Sequence, residues 1–168
     1  MIKINYKTKK GFTLIEMLIV IAIISILSSV FLVGLRGFRA GAYDARRLAD
    51  IQKVQSYLEI YYTSKRVYPS GISNWGDNSC GGSSLCSALK TIAKVPGIPN
   101  DPIAAQSYKY CVDSSNNQSY IISATLSTAD HSVFNEPSTY KGDLTGYTCT
   151  SDSGAPVDCS APNFCIKF

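Results

Sequence analysis

Glu16 is the only charged residue in an apolar stretch of the sequence that runs from Gly11 to Leu35, between Lys10 and Arg36. About 20 apolar residues suffice for a helix to cross the hydrocarbon core of a bilayer, so this stretch predicts a membrane-spanning helix. A lone carboxylate in such a helix costs at least ~2.5 kcal/mol on insertion scales, and it should therefore have a positively charged partner. Glu16 is a candidate for such an ion pair. A residue that reaches back to water, or one that belongs to a channel or transporter, would show the same isolated charge.

Side chains with catalytic chemistry are sparse in this sequence. The chain has a single histidine, His131, and it lacks the His-Glu-x-x-His, Gly-x-Ser-x-Gly and P-loop motifs. No nucleophile stands in a recognisable arrangement with a base, which argues against an enzyme. Oxygen ligands for calcium could come from Asp130, Asn135, Glu136 and Asp143, but their spacing fits no loop motif and favours solvated charges. We therefore predict no catalytic residue, no metal and no cofactor.

The cysteines all follow the apolar stretch and lie in the polar part of the chain. An even number of cysteines in that position predicts disulfides in an oxidising compartment. Zinc is the alternative, but zinc sites usually contain cysteines two to four residues apart, and both close pairs here have five residues between them. The local pairs Cys80–Cys86 and Cys159–Cys165 are the first candidates, and pairing of Cys149 with Cys165 is equally allowed. The six residues are Cys80, Cys86, Cys111, Cys149, Cys159 and Cys165.

The charges on either side of the apolar stretch leave its orientation open. Four lysines precede it and four arginines follow it closely, so a count of positive charges barely discriminates between the two orientations. The cysteines require an oxidising side and therefore place the N-terminus in the cytoplasm and the rest outside. The formal charge of the chain is +4. Without the four lysines that precede Gly11 it is near zero, which gives no electrostatic support for nucleic-acid binding.

Helical periodicity continues beyond the apolar stretch. Apolar residues recur at spacings of three and four and so predict one face of an amphipathic helix. The first clear stop is Tyr68–Gly71, where proline and glycine end helices. We therefore predict one helix from Phe12 to about Lys65, with an apolar half at 12–35 and an amphipathic half at 36–66. The residues of the apolar face are Leu48, Ile51, Val54, Leu58 and Tyr61.

Residues 67–168 are predicted to form a globular head. Residues 85–94 could form a short helix, and apolar and polar residues alternate over 108–112 and again over 120–124. The polar break between those two runs predicts an antiparallel hairpin. Turn residues dominate after residue 127, and no element is predicted there. The expected fold is α+β, with the long helix packed on a small antiparallel sheet whose loops are stapled by disulfides.

The residues around Gly11 resemble the cleavage and methylation signature of type IV prepilins and pseudopilins. The resemblance is close over residues 7–35 and looser along the amphipathic helix. Weaker similarity to bacterial pilin heads appears at 100–102, 108–110 and 120–124. The signature reads Lys9-Lys10-Gly11-Phe12-Thr13-Leu14-Ile15-Glu16.

The resemblance implies that a membrane peptidase cuts after Gly11, removes residues 1–11 as a leader and methylates Phe12. Glycine before the cut lets the backbone enter a narrow site without a side-chain clash. Lysines hold the leader at the anionic cytoplasmic face of the membrane. The freed amine of Phe12 lies one helical turn from Glu16, so Glu16 can neutralise it in its own subunit or in a neighbouring one, and the second pairing would set the axial register.

The function implied by the resemblance is a structural subunit of a type IV pilus-like filament. Its implied partners are further copies of the chain, the prepilin peptidase and methylase, and an inner-membrane assembly platform. The subunit would be a single-pass membrane protein before assembly and part of a surface filament afterwards. The Ser/Asn-rich, disulfide-stapled head favours a major pilin. The alternatives are a minor pilin or pseudopilin of a type II secretion or DNA-uptake machine, or a binding module on an uncleaved helix. Adhesion, twitching motility, DNA uptake and secretion use the same N-terminal chemistry, so the sequence does not choose among these roles.

Overall fold

The computed structural model of the chain describes residues 11–76, 80–150 and 157–168, with side chains throughout these ranges except at 30–36. The chain divides into two units, Met1–Arg39 and Ala40–Phe168. One α-helix, α1, runs from Leu14 to Lys65 and contributes to both units. The helix ends at Lys65, directly before Arg66, which has a positive φ of 61°. This end agrees with the helix predicted up to about Lys65.

In the first unit the apolar side chains of α1 are exposed. Every described side chain from residue 11 to residue 29 is exposed to solvent, which includes the bulky residues Leu14, Ile15, Met17 and Ile26. No helical segment in the described part of the chain combines the length and the apolarity that a membrane crossing requires.

The second unit contains a four-stranded antiparallel sheet and a short helix. The strands are β1 (Lys109–Asp113), β2 (Tyr120–Thr125), β3 (Tyr147–Cys149) and β4 (Asn163–Lys167), and their order across the sheet is β3-β1-β2-β4. The helix α2 (Leu85–Ile92) begins after Ser84, whose hydroxyl accepts a hydrogen bond from the Ser87 amide at 3.1 Å. Such an N-cap satisfies an amide that has no partner within the helix.

The apolar face of α1 packs on one side of this sheet. Ile51, Val54 and Leu58 are buried in a core that also contains Tyr110 and Tyr120. Leu48 and Tyr61, at the two ends of the predicted face, are partly buried against the same core. The three-and-four spacing therefore identified the packing face of the helix.

The other side of the sheet is covered by disulfide-bonded loops. Cys111 of β1, Ile121 of β2 and Cys165 are fully buried there, and Cys159 is buried beside them. Because both faces are covered, the first five residues of β2 are all buried. A strand with only one buried face would instead alternate between buried and exposed residues.

The α+β fold expected from the sequence is confirmed, and the structure adds two strands. The hairpin of β1 and β2 pairs Tyr110 with Ile122 and Val112 with Tyr120, as the alternating pattern predicted. No element was predicted after residue 127, but β3 pairs with β1 and β4 pairs with β2 at the two edges of the sheet. Those strands are short and lie among turn residues, so they carry no pattern of their own.

Three disulfides join the six cysteines, and no described cysteine is free. Cys80–Cys86 and Cys159–Cys165 close short loops, with Cα–Cα distances of 4.9 and 5.4 Å. Cys111–Cys149 joins β1 to β3 across a sequence separation of 38. The alternative pairing of Cys149 with Cys165 does not occur in the structure.

Candidate functional site

The candidate site is the start of α1, where the backbone passes from an irregular segment into the helix. Residues 11–13 are not helical, and Leu14 is the first residue of α1. The bond between Gly11 and Phe12 therefore lies outside the helix. A Cβ atom added to Gly11 would meet no atom of the described residues within 4 Å, so their fold places no demand for glycine at this position.

Thr13 and Glu16 cap the first turn of α1 reciprocally. The Glu16 carboxylate accepts hydrogen bonds from the Thr13 amide at 2.9 Å and from the Thr13 hydroxyl at 2.8 Å. The Glu16 amide donates in return to the Thr13 hydroxyl at 3.3 Å. This is a capping box, in which a threonine and a glutamate three residues later satisfy each other's amides. The carboxylate is thus held at the first turn, close to the backbone of Phe12.

The serine hydroxyls in the next turns of α1 are hydrogen-bonded to backbone carbonyl groups of the same helix. The hydroxyls of Ser25 and Ser28 donate to the carbonyl groups of Ile21 and Ile24, both at 2.7 Å. Ser29 likewise bonds a carbonyl within its own helix. Since these hydroxyls are satisfied inside the helix, they do not need water, and the surface from residue 14 to residue 29 suits an apolar environment.

The structure brings the predicted processing and assembly residues together and places the predicted disulfide cysteines elsewhere. Gly11, Phe12 and Glu16 are neighbours in one exposed segment, and the Phe12 side chain is 79% exposed. Lys9 and Lys10 lie outside the described residues. The six cysteines are all in the second unit and take no part in this segment.

A buried ionic cluster around Arg47 was not predicted from the sequence. All five N–H groups of its guanidinium have an acceptor, and these acceptors belong to Asp44, Asp101, Gln106 and Ser127. The hydrogen bond to Asp101 raises the pKa of Arg47 above its ordinary value, and burial opposes this effect. The sequence gives one weak signal for the cluster, the i, i+3 spacing of Asp44 and Arg47. The residues 100–102 show only weak similarity to pilin heads, which gives no sign of an ion pair at Asp101.

Asp143, one of the candidate calcium ligands, is hydrogen-bonded within its own turn. Its carboxylate accepts hydrogen bonds from the amide and the hydroxyl of Thr145. Among the described residues, no three His, Cys, Asp or Glu side chains lie close enough together to hold a metal ion.

Comparison with known proteins identifies the N-terminal segment. The family described as the prokaryotic N-terminal methylation motif matches residues 6–32, which confirms the resemblance drawn from the signature around Gly11.

Similar proteins occur in secretion systems and in a pilus. Type II secretion system core protein G of Pectobacterium carotovorum subsp. carotovorum is 34% identical over 62 residues, 37% of this chain and 40% of that protein. Its namesake from Escherichia coli (strain K12) is 29% identical over 97 residues, 58% of this chain and 56% of that protein. The type IV wide pilus major component PilA4 of Thermus thermophilus is 41% identical over 64 residues, 38% of this chain and 49% of that protein. The matched segments thus span about half the length of each relative. The search of solved structures gave no significant match.

Proposed function

We propose that this chain is a structural subunit of a type IV pilus-like filament, made as a precursor that is cleaved between Gly11 and Phe12 and methylated on the new N-terminus. The observation that carries the proposal is the methylation motif at residues 6–32, which includes the start of a helix whose apolar side chains are all exposed up to residue 29. An apolar helix of this kind is stable in lipid or against other copies of itself. The proposed role needs no catalytic group.

The proposed path begins in the membrane. The apolar sequence from Gly11 to Leu35 supports an inner-membrane precursor with a cytoplasmic N-terminus, because the disulfides of the second unit require an oxidising side. The prepilin peptidase would act at the cytoplasmic face, where the non-helical backbone at residues 11–13 presents the bond to be cut. An assembly platform would then pass the subunit into the filament. By this proposal residues 12–35 form the polymerising half of the helix, 36–66 the amphipathic half and 67–168 the head.

Glu16 is proposed to neutralise the charged N-terminus during assembly. Cleavage turns the Phe12 amide into an amine that is positively charged at neutral pH. In the uncleaved chain the Glu16 carboxylate is bound to Thr13 at the first turn. It is therefore already oriented toward the end of the helix, where its own or a neighbouring amine would arrive. A pair of opposite charges in apolar surroundings attracts strongly because little solvent screens it.

A pseudopilin of a secretion machine is the second candidate. The similarity to type II secretion system core protein G of two organisms favours it. The similarity to a pilus major component favours a pilin. We place the pilin first because the head has many Ser and Asn residues and three disulfides, as suits an exposed pilus surface.

Electron microscopy of sheared surface material, with mass spectrometry of its subunit, tests the proposal. We expect thin filaments whose subunit begins at a methylated Phe12. Deletion of the chain together with measurement of secreted proteins separates the two candidates, because a pseudopilin supports secretion and a pilin supports surface filaments. A subunit that retains residues 1–11 would leave only a tethered module and would refute the proposal.

A further inference from the structure

The strand β3 lies at an edge of the sheet and has few contacts of its own. It contains three residues, and within the described part of the chain it pairs with β1 alone. Its middle residue, Thr148, is exposed, and the Thr148 hydroxyl is hydrogen-bonded at 2.7 Å to the hydroxyl of Ser114, which is exposed as well. Segments with few buried contacts and solvent-exposed hydrogen bonds open at a low cost in free energy. The position of β3 therefore depends on what else ties it to the sheet.

A disulfide provides that tie. Cys111 of β1 and Cys149 of β3 lie directly opposite each other in the ladder and are bonded through their sulfur atoms. Next to this pair, the Thr150 amide donates a hydrogen bond to the carbonyl group of Tyr110 at 2.8 Å. A single backbone hydrogen bond stabilises a fold only modestly, because water replaces the partner that is lost. The Cys111–Cys149 bond is therefore the main constraint on β3.

The three disulfides differ in their access to solvent. Five of the six cysteines are buried, and Cys149 is the one that is partly exposed. Cys80–Cys86 and Cys159–Cys165 are each formed by two buried residues. A disulfide is reduced when a thiolate attacks one of its sulfur atoms, and the rate depends on access to that atom. In the folded chain, the attack is therefore expected at Cys149 first.

We infer that the Cys111–Cys149 disulfide is a redox-sensitive switch that releases β3 when a dithiol reductant is present. One thiolate of the dithiol attacks Sγ of Cys149, the bond between the two cysteines breaks, and Cys111 leaves as a thiolate that takes up a proton. The second thiolate of the reductant then displaces Cys149 from the mixed disulfide. The dithiol ends as a disulfide, and its two electrons and two protons are found on the two cysteine thiols.

Release of β3 changes the edge of the sheet. With β3 in place, β1 is an inner strand between β3 and β2. Without β3, β1 becomes an edge strand, and its free N–H and C=O groups can pair with another chain. The switch therefore controls whether this side of the sheet is closed or open. The inference does not depend on filament formation, since all of these strands belong to one copy of the second unit.

The selectivity of the switch lies in the rate of attack rather than in the equilibrium. The Cys111–Cys149 bond closes a separation of 38 residues, and the closure of a long loop favours the oxidised form at equilibrium. In excess reductant, however, the order of reduction follows access. The other two disulfides have to wait for local opening of the head, whereas Cys149 is open to attack in the folded chain.

Timed reduction of the full chain in dodecylphosphocholine with excess dithiothreitol tests this access. Aliquots are quenched with iodoacetamide, and peptide mass spectrometry then locates the labelled cysteines. We expect Cys111 and Cys149 to be labelled together, about tenfold or more faster than the other four cysteines. Their rate should rise in proportion to the dithiothreitol concentration, as direct attack requires. The same reaction in concentrated urea is the control, because the difference should disappear when the chain is unfolded.

Hydrogen exchange of the partly reduced chain tests the release of β3. The Thr150 amide and the Ser114 amide, which donates to the carbonyl group of Gly146 at 2.8 Å, should exchange faster once the first disulfide is reduced. The helix α2 should stay protected.

Two paired variants separate this effect from that of reduction elsewhere. Cys111→Ala with Cys149→Ala should show the fast exchange without reductant, and Cys80→Ala with Cys86→Ala should leave β3 protected. Earlier labelling of another pair, equal rates for all six cysteines, or a rate independent of dithiothreitol would overturn the inference. Protection of β3 that persists after reduction of its disulfide would overturn it as well.

Discussion

Arg47 and Asp101 are 54 residues apart in sequence and form a two-pronged hydrogen-bonded ion pair, at 2.7 Å from Nε and 3.0 Å from one terminal nitrogen. Both side chains are almost completely buried. Asp44, one turn before Arg47 on α1, binds the other terminal nitrogen at 2.6 Å and also accepts from the Ser127 amide. The cluster therefore ties α1 to the segment before β1 and to the segment after β2.

Loss of the Arg47 guanidinium should destabilise the second unit strongly. Arg47→Ala leaves two buried carboxylates without their cation, and removal of one partner from a buried pair costs about 3–5 kcal/mol. Arg46→Ala is the control, since Arg46 is 61% exposed and its contact with Asp50 is 3.7 Å long. An exposed pair contributes at most ~1 kcal/mol. Urea unfolding of the full chain, followed by the fluorescence of the buried Trp75, measures both variants. Equal midpoints would show that the cluster gives no net stabilisation.

The disulfide between Cys111 and Cys149 should contribute more stability than the short-loop disulfides. It closes a separation of 38 residues, for which chain entropy alone predicts about 4 kcal/mol, against about 2 kcal/mol for the separation of six in Cys80–Cys86. It also holds β3, an edge strand of three residues, in register with β1. Paired substitutions to alanine, compared by urea unfolding, test this order. A larger loss from Cys80→Ala with Cys86→Ala would contradict it.

Local patterns in the sequence predicted the elements that depend on neighbouring residues. The three-and-four spacing of Ile51, Val54 and Leu58 identified the buried face of α1, and alternation identified β1 and β2. The strands β3 and β4 could not be predicted because their pairing partners and disulfides, not their own composition, hold them in the sheet.

The functional and structural sites also differ in whether a local pattern in the sequence indicates them. The signature around Gly11 is contiguous, so it could be recognised from the sequence. The Thr13–Glu16 capping box within it matches the spacing of a threonine followed three residues later by a glutamate. The Arg47 cluster gathers residues from distant segments of the chain, and no local pattern in the sequence indicates such contacts.

A bulky residue at position 11 should block processing without disturbing the fold. A Cβ atom at position 11 meets no atom of the described residues within 4 Å, so we expect their fold to tolerate Gly11→Leu and the peptidase to encounter the added side chain. We expect the precursor to accumulate in the membrane at its full mass. Gly37→Leu is the matched control, because a Cβ atom there also meets nothing within 4 Å among the described residues, and position 37 lies far along the chain from the cut. Intact-mass measurement of both variants decides, and normal cleavage of Gly11→Leu would place the processing site elsewhere.

Removal of the Glu16 charge should impair filament assembly while the leader is still cleaved and the second unit still folds. Each incoming subunit brings a positive amine into an apolar filament core, and without Glu16 that amine has no partner. The penalty is on the order of 3 kcal/mol or more. This weakens each addition about a hundredfold or further, since ~1.4 kcal/mol is a factor of ten.

Glu16→Gln separates this charge effect from the capping of α1. Glutamine also serves in a capping box, so its amide oxygen can still accept the Thr13 bonds that hold the first turn, whereas Glu16→Ala loses both the cap and the charge. We expect both variants to fail equally when filament yield is measured against the amount of cleaved subunit. Thr13→Ser keeps the hydroxyl and the carboxylate and should assemble normally. If Glu16→Gln assembled while Glu16→Ala did not, the cap rather than the charge would govern assembly, and charge neutralisation by Glu16 would have to be abandoned.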